Sequence, residues 1–523
     1  MTEVTPDEVH TQERVFAFLS DPNTHPAVRR IDTHAASVFL EGSRALKIKR
    51  SVCFPFLDYS TLQKRKAACD DEIRINRPFA PEIYHRVVPI TQDDDGALHL
   101  DGPGTPIEYA IEMARFDESQ TLDHLAAAGP LCQALVAAVA DAIAASHVAA
   151  PRKPAQAWIE GLPSLIEGNA TALRAAGCFA PEQIDELTRR SLASFAGLRH
   201  LLERRGAEGF VRRCHGDLHL ANLVMIAQKP VLFDAIEFSE RIATIDVLYD
   251  LAFPLMDLLR YGQTAAANGL FNRYLAITAS ENLAALASLP LFQSLRAAVR
   301  SHVLRARLER AGSDQAAIAA AAGRYFELAR SLIDPPAPML VAVGGLSGTG
   351  KSVQARLIAP LLAPLPGAVV LRSDVLRKQL FGVAETDRLP AAAYQPEVSR
   401  EIYRLIEQRA GEILSQGHSV VVDAMFARED ERAATEAVAR GLNVPFEGLF
   451  LTTDLTTRQR RIGHRAADAS DATVTIAGSQ ESYEIGRLAW ATIDASGTPG
   501  QTFELCRQRI SMSGQSKPPG AAE

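Results

Sequence analysis

The chain has 523 residues, of which 47% are apolar and 22% are charged, and its net charge is −7. This length exceeds what one hydrophobic core can organise, so we expect two or three domains. The acidic balance gives no reason to expect a nucleic-acid partner, and the apolar content is that of an ordinary globular protein.

Cysteine usage and the N-terminal sequence favour the cytoplasm. The six cysteines are far apart and form no CxxC pair, which indicates reduced thiols and not disulfides or a zinc site. The N-terminal residues are acidic and lack the basic start and apolar run of a signal peptide. The most apolar stretch, residues 131–150, is interrupted by polar residues and predicts a packed helix, so we expect no membrane partner.

The first elements in chain order are mixed and then mainly helical. Alternating apolar residues predict two strands over residues 36–49, with a turn at Glu41-Gly42-Ser43. The remaining segments before the proline cluster are a helix over 60–77, an extended run over 106–113, helices over 119–205, strand-like pieces at 211–214 and 223–234, and further helices.

The second of these strands carries two lysines. Lys47 and Lys49 alternate onto one face, so either side chain could reach the phosphates of a nucleotide. We favour Lys47, because Ala-x-Lys is the pattern of protein kinases. Glu72, on the following helix, is the predicted ion-pair partner of the lysine, and a plain surface charge is the alternative.

The strongest motif of the front half is His215-Gly-Asp217-Leu-His-Leu-Ala-Asn222. Asp217 and Asn222 have the D-x-x-x-x-N spacing of a kinase catalytic loop, in which the aspartate accepts a hydroxyl proton and the asparagine ligates Mg²⁺. Asp234 ends the apolar run Val231-Leu-Phe and is the predicted principal magnesium ligand. Glu237 either assists the metal or has a structural role.

Two further segments of the front half have predicted roles. Residues 108–113 are expected to connect two lobes and to meet adenine through backbone groups. The acidic run from Asp246 to Asp257 lines an acceptor cleft or belongs to a helix that satisfies its own caps.

A proline cluster at residues 334–338 marks the domain boundary, since it interrupts any helix and forms an extended connector. Strands near 339–343, 368–372, 418–422 and 447–452 then alternate with helices, which predicts a parallel sheet covered on both faces. The predicted division is a front domain over 1–333, the linker over 334–338, a rear domain over 339–511 and a loose tail over 512–523.

The rear domain opens with the P-loop motif GxxxxGK[ST], placed between an apolar strand and a helix-forming run. Backbone N–H groups of the loop are expected to surround phosphate oxygens, with Lys351 on the β- and γ-phosphates and the Ser352 hydroxyl on Mg²⁺. The loop residues assigned to the phosphates are Gly345, Ser347, Gly348, Thr349 and Gly350.

Carboxylates and arginines follow at the strand ends. Asp423 is the predicted second magnesium carboxylate, or else a helix cap. Asp374 is the predicted base for an acceptor hydroxyl, with Arg377 on a substrate anion, and the alternative is an N-cap on a solvated helix face. Arg461, with Arg458 and Arg465 at helical spacing, predicts a lid that closes on the phosphates, or a solvated basic face.

These residues carry a resemblance over essentially the whole chain. The front half resembles the aminoglycoside phosphotransferase superfamily, and the rear half resembles small P-loop kinases such as gluconate kinase. The order of the two resembles a bacterial subgroup that fuses them in one chain. The resemblance implies an α+β, bilobal, protein-kinase-like fold followed by an α/β P-loop kinase fold with a parallel sheet.

The sequence departs from the first family at two points. No GxGxxG precedes Lys47, so another turn, such as residues 33–37, must cover the phosphates, and no acidic cluster suits a polycationic antibiotic. The predicted function is an ATP- and Mg²⁺-dependent phosphotransferase with two nucleotide sites and a small hydroxylated acceptor. The alternatives are one catalytic domain with a nucleotide-binding regulator, or a module that phosphorylates a nucleotide sugar or macromolecule.

Overall fold

The computed structural model describes residues 5–25, 27–33, 35–54, 57–278, 280–307, 315–464 and 469–514. These form two compact units. The first comprises residues 1–168 and 199–261, and the second comprises 169–198 and 262–523. The domain boundary predicted at the proline cluster stays a prediction. A division into compact units does not show which segment of the chain folds by itself.

The first unit begins with a six-stranded antiparallel sheet of order β1-β2-β3-β8-β6-β7. The strands and the two helices that precede and interrupt them are α1 Pro6–Ser20, β1 Arg29–Asp32, β2 Ala36–Glu41, β3 Arg44–Lys49, β4 Cys53–Phe54, β5 Leu57–Asp58, α2 Leu62–Asn76, β6 Tyr84–Gln92, β7 Leu98–Leu100 and β8 Thr105–Ala114. The short strands β4 and β5 form a separate antiparallel pair.

Alternation along β2 and β3 gives this sheet two different faces. Phe39 and Leu46 lie on the face that packs against Val15 of α1. Leu40 and Ala45 lie on the opposite face and pack against Cys69 of α2. Because Lys47 and Lys49 follow Ala45 at intervals of two, both lysines extend from the α2 side.

Helices and short strands make up the rest of the first unit. They are α3 Leu122–Ala128, α4 Gln133–Ala149, α5 Gln156–Ala175, α6 Pro181–Glu208, β9 Val211–Arg213, β10 Leu223–Ile226, β11 Lys229–Leu232, α7 Glu240–Ala243, β12 Thr244–Asp246 and α8 Val247–Arg260, with α5 and α6 continuing into the second unit. Strands β10 and β11 form a hairpin, and β9 pairs with β12. The catalytic-loop motif lies between β9 and β10.

The second unit contains a five-stranded parallel sheet of order β14-β15-β13-β16-β17. Its elements are α9 Thr264–Thr278, α10 Ser280–Leu283, α11 Leu289–Arg307, α12 Gln315–Leu332, β13 Leu340–Gly344, α13 Lys351–Ile358, β14 Val369–Arg372, α14 Ser373–Leu380, α15 Pro396–Ser415, β15 Val420–Asp423, α16 Glu429–Gly441, β16 Phe446–Thr452, α17 Leu455–Gly463, α18 Val474–Ser479, β17 Ala491–Asp494 and α19 Pro499–Gly514. None of the described helices combines the length and the apolar composition needed to cross a lipid bilayer.

The predicted fold class is confirmed. The structure also contains strands that were not predicted from the sequence. Both strands of the lysine hairpin and the four predicted strands of the rear sheet are present. The missed strands are Arg29–Asp32, Cys53–Phe54, Leu57–Asp58, Tyr84–Gln92, Leu98–Leu100, Thr244–Asp246 and Ala491–Asp494. Pro89 inside β6 and charges in β1 masked the period-two pattern that identifies strands.

Helix α9 satisfies the free edge of the rear sheet. The Asn268 side chain donates to the Ala368 carbonyl at 3.0 Å, and Val370 N donates to Asn272 Oδ1 at 2.7 Å. An exposed strand edge presents unpaired backbone groups that invite association with other chains. The helices that follow residue 262 therefore belong structurally with the P-loop sheet, although they precede the proline cluster.

His418, just before β15, is fully buried against Phe271, with ring centroids 5.9 Å apart. Burial lowers the pKa of His418 from 6.5 to about 4. The folded chain therefore disfavours the protonated ring, so stability is present above pH 6.5 and falls as the pH drops from 6.5 to 4. The pKa difference corresponds to roughly 3 kcal/mol.

We expect a His418→Leu variant to lose less stability than the parent between pH 6.5 and pH 4, as measured by urea unfolding across that range. His200, whose side chain is fully exposed, supplies the control, and His200→Leu should leave the pH dependence unchanged. Parallel pH profiles for His418→Leu and the parent chain would contradict the assignment.

Candidate functional site

The motif His215–Asn222 forms a loop that two buried carboxylates of helix α8 hold in place. Backbone N–H groups of His215 and Gly216 donate to the Asp250 carboxylate at 3.1 and 3.0 Å, and Leu220 N donates to Asp257 Oδ2 at 3.0 Å. Asp250 and Asp257 are buried. One interpretation of the sequence placed this acidic run along an acceptor cleft, and the structure contradicts it. Two carboxylates of the run are buried and fix the loop backbone instead.

Asp217 and Asn222 lie side by side on this loop. The Asn222 amide nitrogen donates to the Asp217 carbonyl oxygen at 2.9 Å and lies 3.4 Å from Asp217 Oδ2. This orientation turns the amide oxygen of Asn222 away from that carbonyl, as a cation ligand requires. The Asp217 side chain is 41% exposed, and His219 Nε2 lies 3.5 Å from its carboxylate.

Asp234 follows β11 in a left-handed backbone conformation with φ of +60°. A non-glycine residue seldom adopts this conformation without support from its surroundings. Here Asp234 N donates to the Tyr84 hydroxyl at 3.0 Å, and Ala235 N donates to Asn76 Oδ1 at 2.7 Å. These contacts direct the Asp234 carboxylate toward the lysine strand.

Lys47 contacts its predicted partner Glu72 and also Asp234, the predicted magnesium ligand. Its Nζ lies 2.8 Å from Glu72 Oε1 and 2.6 Å from Asp234 Oδ1. Burial lowers the pKa of Lys47, but the Asp234 and Glu72 carboxylates outweigh it and raise that pKa well above its usual value. Burial raises the pKa of Asp234, but the neighbouring Lys47 ammonium lowers it by more, so the net shift of the Asp234 pKa is downward.

Lys49 joins the same cluster from the neighbouring position. Its ammonium contacts Glu72 and Glu237, and the Tyr59 hydroxyl donates to Glu237 Oε1 at 3.1 Å. Lys47 is the lysine that contacts Asp234, whereas Lys49 is almost fully buried between glutamates. These contacts agree with our preference for Lys47 as the lysine that binds phosphate. The roles of both lysines stay predictions.

One prediction for the front half is wrong. Residues 108–113 lie inside β8, where their backbone pairs with β3 on one side and β6 on the other. They are therefore not a connector that meets adenine. Strand β8 ends at Ala114, and the residues that follow, Arg115, Phe116 and Asp117, line an open cavity of about 440 Å³.

The buried Glu108 belongs to an ion-pair network that supports the lysine strand. Arg65, which is completely buried, donates to both oxygens of Glu108 at 3.0 and 2.9 Å. Gln12 of α1 bonds Glu108 at 2.9 Å and also the carbonyl of Lys49 at 2.9 Å. The network thus joins α1, α2 and β8 beneath the lysines.

We expect Arg65→Ala to destabilise the first unit by about 3–5 kcal/mol, because it leaves a buried carboxylate without its counterion. Urea denaturation of the full chain measures this. The exposed Arg74, paired with Asp71, is the matched control, and Arg74→Ala should change stability by no more than about 0.5 kcal/mol. The double variant Arg65→Met with Glu108→Met should recover most of the loss, and no recovery would contradict the ion-pair explanation.

The P-loop of the second unit connects β13 to α13. Gly345, Gly348 and Gly350 have φ of 137°, 87° and 96°. A Cβ atom on Gly345 would lie 2.6 Å from the Leu451 carbonyl oxygen, and one on Gly348 would lie 2.6 Å from that of Arg458. The loop therefore favours glycine at all three positions for conformation, and at Gly345 and Gly348 also for space.

Lys351 and Ser352 begin helix α13, directly after the glycine turn. Lys351 Nζ donates to the Leu346 carbonyl at 3.2 Å, which folds the side chain over the loop. Burial lowers the pKa of Lys351, and the Asp423 and Asp374 carboxylates oppose that effect. An ammonium desolvated in this way gains strongly from a phosphate partner.

Ser352 and Asp423, the two predicted magnesium ligands, face a common point. Both contact the guanidinium of Arg372, at 3.1 Å from Ser352 Oγ and 3.2 Å from Asp423 Oδ2. A hydroxyl and a carboxylate oxygen that share one cationic partner are a donor set suited to Mg²⁺. The residues present therefore fit a magnesium ion.

Asp374, the predicted base, lies near the same carboxylate. Burial and the Asp423 carboxylate raise the pKa of Asp374, while Lys351 and Arg372 lower it, and the net direction is upward. A raised carboxyl pKa brings a general base closer to neutral pH. Arg377 is buried and donates to the Ala393 carbonyl at 2.6 Å, so it is not on a solvated face, and its role on a substrate anion stays a prediction.

The predicted lid arginines have different surroundings. Arg458 is buried and donates to the Ala477 carbonyl at 3.1 Å, so it is not part of a solvated basic face. Arg461 donates to carbonyls of the loop residue Thr349, at 3.4 Å, and of Gly497, at 2.9 Å. Arg465 lies outside the described residues.

Sequence reasoning missed Gln480, which contacts the P-loop from the segment after α18. Ser347 N donates to Gln480 Oε1 at 2.8 Å, and Gln480 Nε2 donates to Ser347 Oγ at 2.9 Å. No sequence motif marks this glutamine, because its role depends on the packing of residues separated by 133 positions.

Each half of the chain matches a known protein family. Residues 56–289 match the model of the phosphotransferase enzyme family (APH), and residues 340–481 match that of an AAA domain. Uncharacterized proteins of Mycobacterium tuberculosis and Mycobacterium bovis are 27% identical over 506 residues, which cover 92% of this chain and 95% of theirs.

Solved structures also align with parts of the chain. A choline/ethanolamine kinase family protein from Mesorhizobium loti aligns at 13% identity and a TM-score of 0.37, covering 61% of this chain and 99% of its own. The Mycobacterium tuberculosis APS kinase in complex with AMPPNP and APS aligns at 21% identity and a TM-score of 0.26, covering 34% and 99%.

The chain thus has the makeup of a phosphotransferase. It joins a region that matches the phosphotransferase enzyme family (APH) to a P-loop region that matches an AAA domain, and the order predicted from the sequence is confirmed. The P-loop region implies the use of a nucleotide.

Proposed function

We propose that the chain is an ATP- and Mg²⁺-dependent phosphotransferase with one nucleotide site in each half, and that each site acts on a small hydroxylated acceptor. One observation carries the proposal for the front site. Lys47 contacts both Glu72 and Asp234, while Asn222 and Asp217 lie together on a loop fixed from behind. Phosphoryl transfer depends mainly on such positioning and charge neutralisation.

In the front site, Asp217 accepts the proton of the acceptor hydroxyl. The acceptor oxygen forms a bond to the γ-phosphorus, and the bond between that phosphorus and the β,γ-bridging oxygen breaks. The products are ADP, a phosphate monoester and the proton on Asp217. Lys47 holds the phosphates, Asn222 and Asp234 would hold Mg²⁺, and the metal would neutralise charge on the phosphate oxygens.

In the rear site, the loop from Gly345 to Thr349 surrounds the phosphates, and Lys351 neutralises their charge. Ser352 and Asp423 would hold Mg²⁺, and Asp374 is the proton acceptor. Arg461, which bonds the loop at Thr349, links this loop to helix α17 and so to the predicted lid.

A second candidate function has a specific observation in its favour. Three P-loop elements have protein partners: Ser347 bonds Gln480, Lys351 bonds Leu346, and Ser352 bonds Arg372. A site arranged in this way suits a regulatory nucleotide, whose occupancy would set the activity of the front site.

A screen of a metabolite pool with ATP tests the proposal. The expected result is at least one product heavier by one phosphate group, found by mass spectrometry and absent without ATP. A chain that binds Mg²⁺ and ATP but phosphorylates no small molecule would contradict the proposed acceptor class.

A further inference from the structure

The Arg372 side chain occupies the point where the proposed magnesium ligands of the rear site converge. Its Nε donates to Asp423 Oδ2 at 3.2 Å, and its terminal nitrogen donates to Ser352 Oγ at 3.1 Å. Arg372 is 12% exposed and Asp423 is 6% exposed. A single guanidinium therefore bridges the hydroxyl and the carboxylate that we assign to the metal.

The parallel sheet places Arg372 there. Strands β14 and β15 pair in a register that sets Arg372 opposite Asp423 at their carboxyl ends. Ser352 lies in the first turn of α13, which begins where the P-loop ends. Since ligands of parallel sheets bind at the carboxyl ends of the strands, Arg372 faces the nucleotide edge.

The Asp423 carboxylate already has a cationic partner at this point. It accepts a hydrogen bond from Arg372 Nε at 3.2 Å, and Lys351 also lies near enough to interact with it. A divalent cation brought against Asp423 would repel the guanidinium, because the two cations would share the same carboxylate oxygen. Arg372 and a metal ion at this point would therefore compete for the Asp423 carboxylate.

We propose that Arg372 is a displaceable cation. It closes the metal position in the nucleotide-free chain and turns onto the phosphates when a metal–nucleotide complex binds. The inference rests on the proposed function of the rear site and adds a residue to it. A long, flexible arginine suits both positions, because its planar head binds carboxylate and phosphate equally well.

A permanent structural bridge is the competing explanation. In that case Arg372 would stay on Asp423 and help to hold the ligands in place, so that its removal would weaken metal binding. Displacement predicts the opposite, because removal of a competing cation strengthens metal binding. The sign of the change separates the two.

The experiment measures Mn²⁺ binding to the nucleotide-free full chain, by the electron paramagnetic resonance signal of free Mn²⁺. An Asp234→Ala background removes the proposed metal ligand of the front site. In this background we expect Arg372→Ala and Arg372→Gln to bind Mn²⁺ about tenfold more tightly than the chain with Arg372. Arg440→Ala, which removes an exposed arginine of α16 paired with Glu436, should leave Mn²⁺ affinity unchanged.

A second readout tests the other half of the proposal. Affinity for AMPPNP at saturating Mn²⁺ should fall about tenfold in both Arg372 variants, since the guanidinium no longer reaches the phosphates. Arg372→Gln keeps the size and polarity of the side chain and guards against misfolding of the alanine variant. Thermal unfolding with and without Mn²⁺ and ADP checks that both variants are folded.

Unchanged or weaker Mn²⁺ binding in both folded variants would overturn the inference while leaving the rear nucleotide site intact. A second outcome is that the Asp234→Ala chain binds neither Mn²⁺ nor ADP, whether or not Arg372 is present. In that case the proposed function of the rear site is itself wrong, and the inference fails with it.

Discussion

Asp217→Asn should reduce phosphoryl transfer by the front site about 10²–10⁴-fold while leaving nucleotide affinity nearly unchanged. The amide that replaces the carboxylate retains its size but no longer accepts the proton of the acceptor hydroxyl, and general-base catalysis contributes about this much. Asp217 is partly exposed and does not hold the loop backbone, which Asp250 and Asp257 hold instead. The fold should therefore survive the change.

Transfer of labelled phosphate from ATP, measured in a Lys351→Ala background, isolates the front site for this comparison. Asp70→Asn, on the exposed side of helix α2, is the matched control and should retain full activity. Wild-type rates in the Asp217→Asn chain would show that Asp217 is not the base.

Lys351→Ala should abolish most turnover by the rear site. Loss of the lysine removes a charged hydrogen bond worth about 1.5–3 kcal/mol, which corresponds to about 10–100-fold in nucleotide affinity. Electrostatic stabilisation of the transferred phosphate is lost as well, and this typically reduces kcat by about 10²–10³-fold. Turnover is measured in an Asp217→Asn background, which silences the front site.

The exposed Arg507, paired with Glu504 on α19, supplies a control with the same loss of charge, and Arg507→Ala should behave as the parent. The pair of experiments also separates the two functions considered above. If Asp217→Asn alone abolishes ATP turnover and Lys351→Ala leaves it intact, the rear site is regulatory.

Motifs with short spacing were predictable from the sequence. Asp217 and Asn222 are five residues apart on one loop, and Lys351 and Ser352 complete a contiguous P-loop, so local geometry defines both. The lysine hairpin was also predictable, because its turn and its alternation are local properties. The pairing of Lys47 with Asp234 joins residues 187 positions apart, and only a family resemblance could suggest it.

Residues whose roles depend on packing could not be predicted. Arg65 and Glu108 look like surface charges in the sequence, yet both are completely buried because each neutralises the other. Asp250 and Asp257 were part of an acidic run, and only the structure shows which backbone groups they bind. Arg372 precedes Asp374 by two residues, but its partners depend on the register of β14 with β15.

The number of nucleotides bound per chain is the most direct test of the proposal that each half contains a nucleotide site. Isothermal titration calorimetry with Mg²⁺ and a non-hydrolysable ATP analogue should give two sites in the wild-type chain, and Lys351→Ala should leave one at the original affinity. A stoichiometry of one in the wild-type chain, or of two tight sites after Lys351→Ala, would contradict the presence of a separate site in each half.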